Sequence, residues 1–195
     1  MGAKFTQIPA GTFEHLQINA GILVDEFTPS TETVGNLLGA TSGGISFADN
    51  ITYTDFGDDI DNCPKNTKEL KQIDGREITL SGTMVTVTTA RAKQFIAAAD
   101  IDGTDTSKIV PRDTLKNSDF DDVWWIGDYS DINTGASAGF IAIKLKDALN
   151  TGGFQLSTSD KGKGQFAFNF MAHYSIENPD TVPYEMYIKA GVATL

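Results

Sequence analysis

From Gln165 to Ser175 the chain alternates with period two, placing Phe166, Phe168, Phe170, Ala172 and Tyr174 on one side. Successive side chains of a strand point to opposite faces, so this run requires a sheet with one buried face. The other side carries Gln165, Ala167, Asn169, Met171 and His173, a mixed face suited to water or to a partner subunit. The same alternation recurs in Phe140 to Lys146, through Ile141, Ile143 and Leu145, and near the end in Tyr184, Met186 and Ile188.

Two more runs, Ile45 to Phe56 and Arg76 to Val87, read as long strands with one apolar and one small polar face. The apolar faces hold Phe47, Ile51, Tyr53, Ile78, Leu80 and Met84. The polar faces hold Ser46, Ala48, Asn50, Thr52 and Thr54 on the first strand and Glu77, Thr79, Ser81 and Thr83 on the second. Between the strands lies DFGDDIDNCPKNTKELKQIDG, a charged loop over about 57–74, longer than ordinary hairpin connections and therefore expected to be functional or mobile.

One stretch, TTARAKQFIAAAD, predicts a helix over about 88–99, with Thr88 or Thr89 as N-cap. Turn-forming residues dominate before Phe13, between Phe27 and Gly44, and around Asp131 to Gly139, which read as loops. Many strands and a lone helix do not build a parallel βαβ fold. The expected class is mainly β, a β-sandwich or curled sheet with one flanking helix, in a single domain over 1–195.

Hydrophobic residues make up 40% and charged residues 21%, the usage of a folded protein. Twenty-six acidic against 15 basic residues leave a formal charge of -11, which disfavours a surface that grips phosphate by releasing counterions. A single cysteine, Cys63, excludes an intrachain disulfide and a clustered-thiolate zinc site. The start, MGAKFTQIPAG, lacks a secretory apolar stretch, and no run approaches the roughly 18 apolar residues of a membrane helix, so synthesis in a cytoplasm without a membrane partner is expected.

Motifs with catalytic overtones fail on context. GASAG, centred on Ser137 and followed by Asp160 and His173, satisfies the GxSxG spelling, but a nucleophile elbow needs a strand before it and a helix after it. Here a loop precedes and a strand follows. Gly162, Gly164 and Ala167 are likewise followed by a strand where a dinucleotide site needs a helix N-terminus. Asp100, Asp102 and Asp105 break the EF-hand spacing and lack its distal Glu, leaving an acidic turn after a helix. His15 and His173, each placed on a strand, have no metal-ligand spacing. Neighbouring Trp124 and Trp125 must face opposite ways, one toward the core and the other exposed or at an interface. No catalytic residue, cofactor or metal is expected.

The stretches DFGDDIDNCPKNTKELKQIDGREITLSG, DVWWIGDYSD and GGFQLSTSDKGKGQFAFNFMAHYSIENPDTVPYEMYIKAG resemble the major tail proteins of long-tailed, siphovirus-type bacteriophages, especially those of Gram-positive hosts, over roughly residues 40–190. That resemblance implies a virion protein with a tail-tube-type β-sandwich and an N-terminal arm of about 1–12. It implies hexameric rings, closed by joining sheets into an inner barrel and stacked around a tape measure protein, with tail terminator and tail tip proteins at the ends. DNA then passes through the lumen without specific binding. On this reading Ser46, Asn50, Thr52, Thr54, Glu77, Thr79, Ser81 and Thr83 face the lumen. Asp58, Asp59, Asp61, Lys65, Lys68, Glu69 and Lys71 form a ring-stacking loop, ordered by the next ring. The alternative is a carbohydrate- or host-binding β-sandwich with exposed tryptophans; a serine hydrolase using Ser137 ranks third.

Overall fold

The computed structural model describes residues 8–9, 12–129 and 138–191. The proposed N-terminal arm and Ser137 therefore lie almost wholly outside the described residues. The fold is mainly β with one α-helix, as expected.

Two antiparallel layers enclose the core. In the first, β1 (Gln17–Val24) pairs with β8 (Asp121–Tyr129), β8 with β9 (Gly139–Asn150), and β9 with β12 (Tyr184–Lys189). In the second, β4 (Thr41–Asp55) pairs with β5 (Lys71–Met84), β5 with β11 (Gln165–Met171), and β10 (Gln155–Ser157) lies beside β11. Strand β9 belongs to both layers. Its first part runs between β8 and β12, and its last residues, Leu149 and Asn150, pair with Met171 and Phe170 of β11. The bend falls near Asp147, whose φ of 47° and the register shift opposite Asp121 and Val123 mark a bulge.

The layers bury the alternating face as far as Ala172; Tyr174, expected on the same face, lies past the end of β11 and is 45% exposed. Phe166, Phe168 and Phe170 of β11 join Ile78, Leu80 and Met84 of β5, facing Leu23, Val123, Ile143 and Leu145 of the first layer. Part of the outer face of the first layer is covered too. A short hairpin of β2 (Phe27–Thr28) and β3 (Thr33–Val34) brings Phe27 against Trp124 and Phe140, in a second cluster with Val24 and Ala142.

The helix α1 (Thr89–Ile96) closes one end of the sandwich, its Phe95 ring packed against Phe168 and Phe170. The Thr88 side chain accepts from the Arg91 amide, so Thr88 is the N-cap. The helix is shorter than the expected 88–99 because Ala97 takes φ 69°, ψ -80° and the Ala98 amide bonds Ile96 O, a tight turn that propensity for the alanine run does not anticipate. Ala99 then starts β6 (Ala99–Ile101), paired with β7 (Ile109–Pro111). Buried Asn150 ties the parts together: its side chain donates to Phe95 O at 2.7 Å and Gly153 O at 2.9 Å and accepts from the Asn169 amide at 2.7 Å.

Several boundaries differ from the sequence expectation. The long loop spans 56–70 and not 57–74, because β5 begins at Lys71 and keeps its pairing to the loop base. β4 starts at Thr41, a bulge at Gly43 and Gly44 with φ of 82° and 84° carrying the strand past two glycines. β11 ends at Met171, so His173 is not on a strand; His15 sits in a 3-10 turn, Thr12–His15.

Candidate functional site

The pairing register assembles one polar face from several strands. Ser46 lies opposite Ser81, which lies opposite Asn169; Ala48, Thr79 and Met171 form the next row, and Asn50 pairs with Glu77. Thr83, Ala167 and Gln155 form another row toward the opposite end. Thr52 and Thr54 continue the β4 side past a bulge at Asp74, where the Thr52 hydroxyl donates to Gly75 O at 3.3 Å. Ser46, Asn50, Thr52 and Glu77 are exposed, while Thr54, Thr79, Ser81 and Thr83 are half-buried by their strand neighbours. The core lies behind the rows from Thr83 to Asn50, whereas Thr52 and Thr54 stand on the part of the hairpin whose other face is exposed. The polar positions read on two separate strands thus form one surface. The extension across β11 and β10 was legible only as a mixed face on one strand, because pairing partners are not encoded by alternation. Glu77 is the only charge among these positions and none is a cation.

Toward its loop, the β4–β5 hairpin outruns the second layer and becomes an arm. Tyr53, Phe56, Ile60 and Ile73 are 52, 58, 51 and 47% exposed there. The loop has its own hydrogen-bond frame. The Asp55 carboxylate accepts from the amides of Gly57 at 2.9 Å and Asn66 at 2.8 Å, and these bonds hold its pKa below the usual carboxylate range. The Phe56 amide donates to Leu70 O at 3.0 Å, and the Thr67 hydroxyl to Pro64 O at 2.7 Å. Of the residues assigned to ring stacking, Asp58, Asp59, Asp61, Lys65, Lys68 and Glu69 are exposed on this loop. Lys71 lies on β5 and not on the loop: it pairs with Asp55 and lays its ammonium 4.8 Å from the Tyr53 ring centroid.

A polar latch stands where sandwich becomes arm. Asp49 of β4 accepts from Arg76 of β5 and, at 3.1 Å, from the Tyr184 hydroxyl of β12, joining the two layers. The Asp49 and Arg76 side chains are 14 and 20% exposed. Burial, reinforced by the Asp49 bond, raises the Tyr184 pKa. A half-apolar strand face concealed this cluster from sequence reading, since nothing local predicts which tyrosine crosses to which carboxylate.

The other candidate side chains are engaged in local contacts. Trp124 is buried in the second cluster, and half-buried Trp125 donates its indole N–H to Ala20 O at 3.0 Å, so neither ring offers the exposed platform on which the carbohydrate reading rested. His173 turns its Nδ1 to Asp147 O at 3.1 Å and its ring edge to Phe120, in a groove of about 440 Å³. Asp160 precedes β11 and His173 follows it, so that strand separates them. The Asp102 carboxylate accepts from the Thr104 amide at 2.9 Å, the Thr104 hydroxyl at 2.7 Å and Lys108 at 3.2 Å, which lowers its pKa strongly. The acidic turn satisfies itself, and no group of three or more metal-capable side chains gathers among the described residues. No helix among them is long and apolar enough to cross a membrane. No family model matches the chain, and no curated protein matches it.

Proposed function

We propose that this chain is a structural subunit that assembles with copies of itself into stacked rings, forming the tail tube of a long-tailed bacteriophage through which DNA leaves the particle. The observation that carries the reading is the polar face over β4, β5, β11 and β10, with a packed core behind it, one acidic side chain and no cation. Such a wall lets DNA slide. Serine, threonine and asparagine groups bind water, and phosphate finds no lysine or arginine whose counterions it could displace.

Strand edges support the same reading. Among the described residues β4 pairs only with β5 and β12 only with β9, so each layer has an edge that a neighbouring copy can extend. Met186 and Ile188 of β12 are 47 and 59% exposed, apolar surface that a neighbour would cover. Joined around a ring, second layers with their polar faces inward make a wetted barrel. The tape measure protein would occupy it before DNA, with the tail terminator and tip proteins at its ends. The mechanism is passive and needs no cofactor.

Microscopy of the concentrated, purified protein tests assembly, and a reconstruction of the resulting tube tests orientation. The expected result places Thr52 and Thr79 on the lumen wall. A reconstruction with these residues on the outside would overturn the assignment. In assembled particles Thr52→Lys with Thr79→Lys should slow DNA release, with relief at high salt, because the Debye length shrinks from about 8 Å as salt rises above physiological strength.

A further inference from the structure

We propose that the arm tip of one copy docks on the β10–β11 turn of the next copy, at the far end of its second layer. The inference rests on the tube reading above and names the surface that receives the arm.

The two surfaces lie at opposite ends of β5. Its first residue, Lys71, pairs with Asp55 at the base of the arm loop, whereas its last, Met84, pairs with Phe166 just beyond the β10–β11 turn. The strand has 14 residues, and at about 3.3 Å each they separate its ends by roughly 45 Å. Tip and turn of one chain therefore cannot meet. Between copies the contact is head to tail, and it repeats along an axis without closing on itself, as stacking requires.

The two surfaces also match in chemistry. At the tip, exposed Phe56 and Ile60 are flanked by Asp58, Asp59 and Asp61, which join no ion pair among the described residues; of the loop's two lysines Lys68 is paired with Glu69 at 3.4 Å and Lys65 is exposed without an ion pair among those residues, so the carboxylates still prevail there. At the turn, Lys161 and Lys163 are exposed and unpaired among the described residues, next to Phe154 and Leu156, which are 41 and 53% exposed. Leu156 lies over Gly164, and the Gly162 amide closes the turn on Ser159 O at 3.0 Å. Most other described cations are spoken for on their own chain: Lys108, Lys116, Lys144, Lys146, Lys189 and Arg112 all contact carboxylates. On a chain of formal charge -11 an exposed lysine pair beside apolar side chains is a scarce surface, and an apolar tip ringed by aspartates is its complement.

The test is a charge swap on the full chain, read by pelleting and negative-stain microscopy. Lys161→Glu with Lys163→Glu should raise the concentration needed for tubes about tenfold or more, leaving rings and thermal unfolding unchanged, and Asp58→Lys with Asp59→Lys and Asp61→Lys should do the same. All five changes together should bring that concentration back to within about threefold of the wild type, because reversed charges attract again only if these two surfaces meet. Wild-type tubes with no rescue in the combined variant, or with a lysine variant that pellets normally, overturn the docking and leave the tube reading intact. Wild-type rings that never stack overturn the docking and the stacked-tube reading together. A wild-type chain that stays monomeric at every concentration overturns both.

Discussion

From Ile45 to Asn50, β4 runs over the core, with Phe47 packed against Tyr184 of the other layer. From Ile51 to Asp55 the same strand keeps the same partner, yet Tyr53 and neighbouring Ile73 are about half exposed. The ladder is common to both halves; the backing is not. Backbone hydrogen bonds trade water for protein at a net gain of only about 1 kcal/mol each, so the root is fixed by apolar burial. The arm depends on local devices, the Asp55 carboxylate and the Lys71 contact with Tyr53. Stability should thus concentrate at the root and assembly at the arm.

The largest effect belongs to the core. Phe170→Ala removes a fully buried ring packed on Phe95 and Phe168, and should cost about 3–5 kcal/mol in denaturant unfolding. Next is Asn150→Ala, which strands two carbonyls and an amide; a loss of about 1–3 kcal/mol is expected.

Tyr184→Phe probes the boundary and should cost about 1 kcal/mol at neutral pH. Its pH signature is specific. The folded chain binds the Tyr184 proton more tightly than the unfolded chain does, since the pKa is raised. That stabilisation is present below the ordinary tyrosine pKa of about 10 and fades as pH rises beyond it. Unfolding midpoints against pH should show part of the wild type's alkaline loss missing in the variant.

The smallest stability effect is at the arm. Replacing Asp58–Glu69 by Asn-Gly should leave unfolding within about 0.5 kcal/mol of the wild type, while tubes disappear from micrographs. A loss of several kcal/mol there would erase the distinction between root and arm.

What the sequence revealed follows the range of each signal. Alternation is local, so the phenylalanine face of β11 and the polar positions of β4 and β5 could be read directly. The helix start was legible from Thr88. Its end was not, because Ala97 adopts a backbone geometry that alanine rarely takes. The short β2–β3 and β6–β7 pairs fell among turn residues and carried too few positions for a period. The Asp49, Arg76 and Tyr184 cluster needed pairing across layers, which no window of sequence contains. The arm was visible as length and charge, but its internal frame depends on where Asp55 sits relative to Asn66.

Strand β9 gives the molecule a mechanical property. Because one covalent segment runs from the first layer into the second, the sandwich cannot come apart by sliding one sheet off the other. Tension on either sheet passes through the bend at Asp147 to the short ladder of Leu149 and Asn150 with Met171 and Phe170, backed by the covalent chain itself. In a column of such subunits, axial compression or flexing would be shared between inner and outer walls, so each copy would deform as a single stiff element.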